Sequence, residues 1–409
     1  MKCNLLTDGI RIDEGSFDLC GANLSRIHLY DYGVSAPKYD IPFDIILYWV
    51  DGERKRLPII VRVRFKNDSP WYLEQNGDNY WVVNSENEES HHAEILKTED
   101  FGGQNVMGQP LEALAQRLGY DLLGLVPTNY CSFYQSGKKC AFCEIVETHN
   151  NLASGTPYRK SLELLTMASV AAAERDKSLT SITYNGGQLN SLDETVNMYV
   201  QLLEMISKFS ATSRLNKTIA CMPPETPELL ENLAQAGLNQ YFINVETMDK
   251  NLMPYLAPYK SQIGLTKMLE GLERSLPIFG IGSVYSNLVY GVQTIGKSWP
   301  VMDFNPLAEN EAMLCQSQEL IERNVIPTFT IYHTSGRNKI GSVHLSGNDL
   351  FNFTVAYGNL VRASECIEPS RGAILFSIGS LPNTTYNDGW LLADMHHKLN
   401  EAESDAYDT

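Results

Sequence analysis

The chain has 409 residues, enough for a barrel-sized domain and a smaller module, and its 43% apolar content supports a sizeable core. A formal net charge of −17 argues against nonspecific nucleic-acid binding, which needs basic surface, and reads instead as an aid to solubility. No uninterrupted apolar run is long enough for a transmembrane helix, and charges break the stretch from Met1 to Ser16 too early for a signal-peptide apolar region, so a cytoplasmic protein with no membrane partner is expected.

Residues 1–108 read as a small, mainly β N-terminal module. Ile45–Val50 and Ile59–Val63 are β-prone runs on either side of a turn signal at Asp51-Gly52, and Tyr80–Val83 adds a third. The polar stretch Ser85–His92 reads as a loop. From Pro110 the pattern changes to strands alternating with helices. Predicted strands are Leu122–Pro127, Ser181–Asn185, Lys217–Cys221, Gln240–Val245, Ile278–Tyr285 and Ile326–Tyr332. Ser191-Leu192-Asp193-Glu194 is a capping box opening a helix to Phe209. Thr226-Pro227-Glu228 reads as N-cap, N1 proline and first-turn acid, with Gly237 as terminator. Ser161–Arg175, Gln262–Leu276 and Glu309–Arg323 supply three more helices.

Six strand–helix alternations mean parallel βαβ units, in a sheet that is either closed or open. Ligands bind beyond the carboxyl ends of such strands. Residues 109–340 form this region, and residues 341–409 a C-terminal extension. The extension holds a helix from Asn348 to about Cys366, a β-prone run Ala373–Ile378 and an acidic tail containing His396-His397.

Eight cysteines over this length are too sparse for a disulfide scaffold, and three of them cluster. Cys131, Cys140 and Cys143 follow the first strand of the α/β region with the spacing Cys-x8-Cys-x2-Cys. Three thiols packed by chance in a core fit a polar loop badly. A zinc site needs a fourth ligand, for which His149 is available. Three thiolates can also hold an iron–sulfur cluster while leaving one iron open.

Cys140-Ala141-Phe142-Cys143, placed after the first strand, resembles the cluster loop of the radical S-adenosylmethionine enzymes. Their usual spacing, Cys-x3-Cys-x2-Cys, is lengthened here by the interval Ser132–Lys139. The resemblance implies a partial (β/α)6 TIM-like barrel, a [4Fe–4S] cluster on Cys131, Cys140 and Cys143, and S-adenosylmethionine bound at the open iron. Further residues resemble the family's cofactor contacts. Asn185-Gly186-Gly187-Gln188, ending the second strand, stands where the family has a Gly-Gly-Glu-like motif approaching the methionine amine. Glu246 and Lys260 stand in the fourth-strand region, which is loosely biotin-synthase-like, where a polar and a basic residue meet the cofactor. The stretch from Gly280 to Thr294 is similar to the region that backs the adenine.

On this resemblance the chain would reductively cleave S-adenosylmethionine to a 5′-deoxyadenosyl radical, which abstracts hydrogen from a small-molecule substrate. Rearrangement, elimination, epimerisation, cyclisation or C–C cleavage would follow. A reductant such as flavodoxin or ferredoxin is then a partner. Only Cys221, Cys315 and Cys366 follow the cysteine loop, which speaks against an auxiliary cluster, and no Asp-x-His-x-x-Gly points to a cobalamin module. Cys221 and Cys315 are candidate hydrogen-atom donors, His333 with Arg337 a candidate anion contact, and Tyr184, Tyr285 and Tyr332 candidate aromatic walls. The competing reading is a zinc-stabilised binding or scaffold protein built on the same loop.

Overall fold

Seven strands of one curled sheet carry the chain's chemistry-bearing loops, in a computed structural model that describes residues 1–12, 42–50, 56–97, 99, 101–149, 155–294, 304–332, 340, 343–364 and 383–395. A short helix α1 (Lys2–Asp8) precedes an antiparallel module of β1 (Asp44–Val50), β2 (Arg56–Arg62), β3 (Trp71–Asn76), β4 (Asn79–Asn84) and β5 (Ser90–Ile95), in the order β2-β1-β5-β4-β3. Two-residue strands β6 (Asn105–Val106) and β7 (Gln109–Pro110) lead into the large sheet.

That sheet is built from β8 (Ala115–Leu118), β9 (Leu122–Leu125), β10 (Ser181–Asn185), β11 (Asn216–Ala220), β12 (Gln240–Phe242), β13 (Val284–Tyr290) and β14 (Ile326–Ile331). Its order is the chain order, 8 to 14. Strands β9 to β14 are parallel and β8 is antiparallel to β9, so five βαβ steps in one rotational sense make a half-barrel with β8 and β14 at its edges. The partial TIM-like α/β barrel expected from the alternation is the observed architecture, with one extra antiparallel strand. Among the described residues, no helix is long and apolar enough to cross a membrane.

The crossover helices are α4 (Leu162–Arg175), α5 (Leu192–Ile206), α7 (Glu228–Gln235), α10 (Leu265–Phe279) and α11 (Pro306–Glu322), while α12 (Gly347–Arg362) and residues 386–395 lie beyond the sheet in sequence. Short helices α2 (Ser132–Gln135), α3 (Ile145–His149), α6 (Ser210–Ser213), α8 (Met253–Leu256) and α9 (Pro258–Ile263) fill the connections. Ser191 caps α5 by accepting from the Glu194 N–H at 3.0 Å, as its capping-box sequence requires. Gly237, at φ +96°, ends α7.

Several expectations change. Ser90–Ile95 is a strand, because Ala93 and Ile95 are buried while Glu94 faces water, an alternation hidden in a polar sequence. Trp71–Asn76 pairs with β4 across Gly77-Asp78, where Gly77 takes φ +62°. The run Ile278-Phe279 belongs to the end of α10, which stops at Gly280 (φ +84°), so the fifth parallel strand begins at Val284. Gly264 (φ +94°) splits the predicted Gln262–Leu276 helix from α9. Thr226 does not cap α7; its hydroxyl donates to Asp193, and Pro227 stands at the cap. The turn Asp51-Gly52, His333, Arg337, Cys366, Ala373–Ile378 and His396-His397 lie outside the described residues.

Candidate active site

Where β9 ends, the chain turns through Pro127–Tyr130 into the cysteine loop, which is strapped to the loop after β10. Gly187 N–H donates to Thr128 O (2.9 Å), Ser132 N–H to Gln188 O (2.8 Å) and Ser132 Oγ to Leu189 O (2.7 Å). No side chain fits between the two loops. A Cβ on Gly187 would stand 2.0 Å from Tyr130 O and 2.9 Å from Cys131 Cβ, and one on Gly186 would stand 2.9 Å from Thr128 O. The glycine pair is therefore required first by the close approach of the cysteine loop.

The lengthened interval between Cys131 and Cys140 is folded, not slack. It contains α2, whose buried Phe133 stacks on Tyr259 of α9 with ring centroids 3.9 Å apart. Lys138 N–H closes back on Phe133 O (2.9 Å), and Ala141 N–H pins the second half to Leu256 O (2.7 Å). A turn from Cys143 N–H to Cys140 O (3.1 Å) sets the last two thiols side by side.

Cys131, Cys140 and Cys143 are free, partly buried thiols that all line one cavity of about 220 Å³. Asn185, Gly186, Gly187, Gln188, Glu246 and Lys260 line it as well. Burial pushes the Cys140 thiol up to about 12, partly opposed by the Lys260 ammonium, and pushes Cys143 higher still. Among the described residues, no three His, Cys, Asp or Glu side chains converge closely enough to hold a single metal ion. His149, the fourth ligand the zinc reading requires, is not among the cavity-lining residues. Its ring stacks on Tyr158 at 3.5 Å, and its Nδ1 is buried without a partner. Three thiols lining one cavity are donors that an iron–sulfur cluster or, with a fourth ligand, a zinc ion accepts.

Opposite the loop, β12 continues past Phe242 and bridges to β13 through Glu246 and Leu288. Glu246 takes φ +67°, a left-handed conformation costing a non-glycine residue about 1–3 kcal/mol. Its neighbours hold it there: its N–H donates to Asn287 O (2.8 Å), and its O accepts from Val289 N–H (3.0 Å) and the Gln293 amide (3.0 Å). Its carboxylate meets Lys260 Nζ at 2.5 Å, and that ammonium also donates to Asn244 O at 2.7 Å. Burial alone would lower the Lys260 pKa; the Glu246 carboxylate, with Cys140, outweighs it and raises the value. Gln188 is partly committed elsewhere, its amide nitrogen donating to Ser191 O (2.8 Å) and to Thr195 Oγ1.

The loop after β13 is caged by one side chain. Fully buried Glu309 accepts from the N–H groups of Gly291 (2.6 Å), Val292 (3.0 Å), Gln293 (3.1 Å) and Thr294 (2.9 Å). Burial raises its pKa, and these hydrogen bonds pull it back.

Other expectations divide. Cys221 lines the cavity at the end of β11, its thiol 3.8 Å from the Tyr241 hydroxyl and pushed up to about 12 by burial. Cys315 is exposed on α11 and is not among the cavity-lining residues, because it falls on the face of that helix turned away from the sheet. Of the three tyrosines, only Tyr332 lines the cavity. Tyr184 points the other way from its neighbour Asn185, as strand alternation demands, and bonds Ser169 (2.8 Å). Tyr285 sits nearer the start of β13, stacked on Phe242. Phe133 and Phe142 supply aromatic wall instead. Sequence reasoning also missed Asn244, whose Oδ1 is buried without a hydrogen-bond partner, and Asn287, both lining the cavity. It missed Arg64 too. That residue enters from just past β2, its guanidinium donating to Leu6 O, Ile331 O (3.4 Å) and Asn383 O (3.3 Å).

No protein-family model matches the chain, and no curated protein matches it. Solved structures of similar shape include HydG, a maturase of the [FeFe]-hydrogenase, at 16% identity and a TM-score of 0.45, over 66% of this chain and 58% of that one. HydG from Carboxydothermus hydrogenoformans (16%, TM-score 0.44, 67% of this chain and 54% of that one) and methylornithine synthase PylB (14%, TM-score 0.40, 59% and 63%) are among them too. The chain thus spans less than two thirds of the length of each.

Proposed function

We propose that this chain is a radical S-adenosylmethionine enzyme acting on a small-molecule substrate. The observation that carries the reading is that three cysteines of one loop line the same cavity as Gly186-Gly187, Glu246 and Lys260, at the carboxyl ends of parallel strands. When bound, a reduced [4Fe–4S] cluster and S-adenosylmethionine together supply an electron, cleavage of a carbon–sulfur bond and a carbon radical able to take hydrogen from an unactivated position.

The chain's own residues orient and shield. Cys131, Cys140 and Cys143 would hold the cluster as thiolates, binding of iron overcoming the burial that raises the Cys140 and Cys143 pKa values. Asn244 Oδ1 is a fixed acceptor for an amine or hydroxyl proton of the cofactor. Lys260, with two of its three donors used on Glu246 and Asn244, has one left for a carboxylate. Phe133, Phe142, Val289 and Ile331 present apolar walls that exclude water from the reacting centre. Free thiols at all six described cysteines, and the low-potential electron the cluster needs, fit a cytoplasmic setting with flavodoxin or ferredoxin as donor.

Anaerobic reconstitution with iron and sulfide, then reduction with S-adenosylmethionine present, tests the reading by formation of 5′-deoxyadenosine. Cys131→Ala, Cys140→Ala and Cys143→Ala should each lose both the brown cluster and the product. Stoichiometric zinc, no cluster and no 5′-deoxyadenosine would overturn it.

A further inference from the structure

The interval Ser132–Lys139, which lengthens the cysteine loop, is attached at several points to one other segment, α8 and α9. Phe133 stacks on Tyr259 with ring centroids 3.9 Å apart, and Lys138 Nζ donates to Gln262 Oε1 at 2.8 Å. Just past the interval, Ala141 N–H donates to Leu256 O at 2.7 Å, and the Ala141 side chain packs with Leu252 and Leu256 in one buried cluster. The segment so held carries Lys260, next in sequence to Tyr259. Alone, α9 has little to fix it. It is six residues long, its N-cap Ala257 makes no side-chain hydrogen bond, and Gly264 (φ +94°) ends it. Lys260 is therefore held from two sides. Its ammonium is tied to Glu246 and Asn244 just past β12, while its backbone rides on a helix docked against the cysteine loop.

We propose that Phe133 and Tyr259 are positioning residues that aim the Lys260 ammonium at a ligand carboxylate beside the thiols, a proposal that rests on the reading above. Lys260, Phe133, Cys131 and Cys140 line the same cavity, so the stack joins the loop that would hold iron to the cation that would meet the carboxylate. A hydrogen bond weakens steeply with misalignment, so a shift of α9 costs that contact even while the ammonium keeps its charge. Cys131 and Cys140 bracket the interval, which makes the coupling two-way. A loop fixed by iron steadies α9, and a lysine fixed by a carboxylate steadies the loop.

Acetylation of the iron-free protein by acetic anhydride, read residue by residue in a mass spectrometer, reports how Lys260 is seated without any cofactor. Lys260 is buried and should label slowly in wild type and in Tyr259→Phe, which keeps the stack. Tyr259→Ala and the milder Phe133→Leu should each label it roughly tenfold faster, through easier local opening. Lys217, buried on β11 away from the loop, should label as before in both, which shows the fold intact. In reconstituted protein, Tyr259→Ala should weaken S-adenosylmethionine binding in equilibrium dialysis by roughly tenfold, with iron content retained. In the Glu246→Gln/Lys260→Met background, which lacks the ammonium, it should weaken binding no further. Unaltered Lys260 labelling in both single variants, or losses that add in that background, overturns the proposal. Absence of S-adenosylmethionine binding and of 5′-deoxyadenosine from wild-type protein instead overturns the enzymatic reading, and the labelling comparison still decides whether the stack positions Lys260.

Discussion

Lys260 Nζ and Glu246 Oε1 stand 2.5 Å apart in the wall of the cavity, both side chains almost fully buried. The pair brings a strained backbone position, a cation and an anion to one point facing the cysteine loop. Neither charge is stable there without the other.

Glu246→Gln should therefore destabilise the protein by about 3–5 kcal/mol, because it strands a buried ammonium. Glu246→Gln/Lys260→Met should recover much of that loss. Urea unfolding of the iron-free proteins checks both. The folded-state pKa of Lys260 is raised, so the pair's contribution is complete below the ordinary lysine value of about 10.4 and is lost as pH rises above it.

Gly187→Ala should leave the fold intact while displacing the cysteine loop, since the new methyl group would meet Tyr130 O. Iron content after reconstitution should fall sharply, with the far-ultraviolet dichroism unchanged. Gly137→Ala is the control: it has open space but φ +74°, and should cost about 1 kcal/mol and retain iron.

Asn244→Ala removes a buried acceptor that bonds nothing in the protein, so thermal stability should hold or rise slightly. Affinity for S-adenosylmethionine, measured by equilibrium dialysis on the reconstituted protein, should drop by roughly tenfold, the value of one good hydrogen bond.

Lys160, buried behind the cysteine loop with its ammonium on Asn129 Oδ1 at 3.0 Å, has its pKa pushed down to about 8 by burial. Between pH 8 and the unfolded value of about 10.4 the unfolded chain binds the extra proton, so this residue's contribution to stability rises with pH across that window. The difference in unfolding free energy between wild type and Lys160→Met should shift toward wild type by about 3 kcal/mol over this range. A difference independent of pH would contradict the burial of that charge.

Much of this architecture is legible locally. The cysteine spacing, the Ser191 capping box and the strand Ser181–Asn185 are encoded by adjacent residues, and they appear where the sequence places them. What the sequence conceals is set by distant partners. Arg64 reaches the cavity only because β2 delivers it there, and Asn287 because β13 begins at Val284. Tyr184 illustrates the same limit: its identity suggests a wall, but the parity of β10 turns it into the helix layer. Ala115–Leu118 escapes notice because Gln116 and Arg117 make a buried edge strand look polar.

The cage around Glu309 has an evolutionary consequence. One carboxylate satisfies four successive main-chain donors and the Thr294 hydroxyl, so the loop it holds owes much of its shape to an anchor outside itself. An aspartate at 309 falls a methylene short, and a glutamine offers one accepting oxygen in place of two, so either leaves main-chain donors of this loop unpaired. Invariance of the glutamate on the helix opposite is the pattern such a design leaves in a lineage.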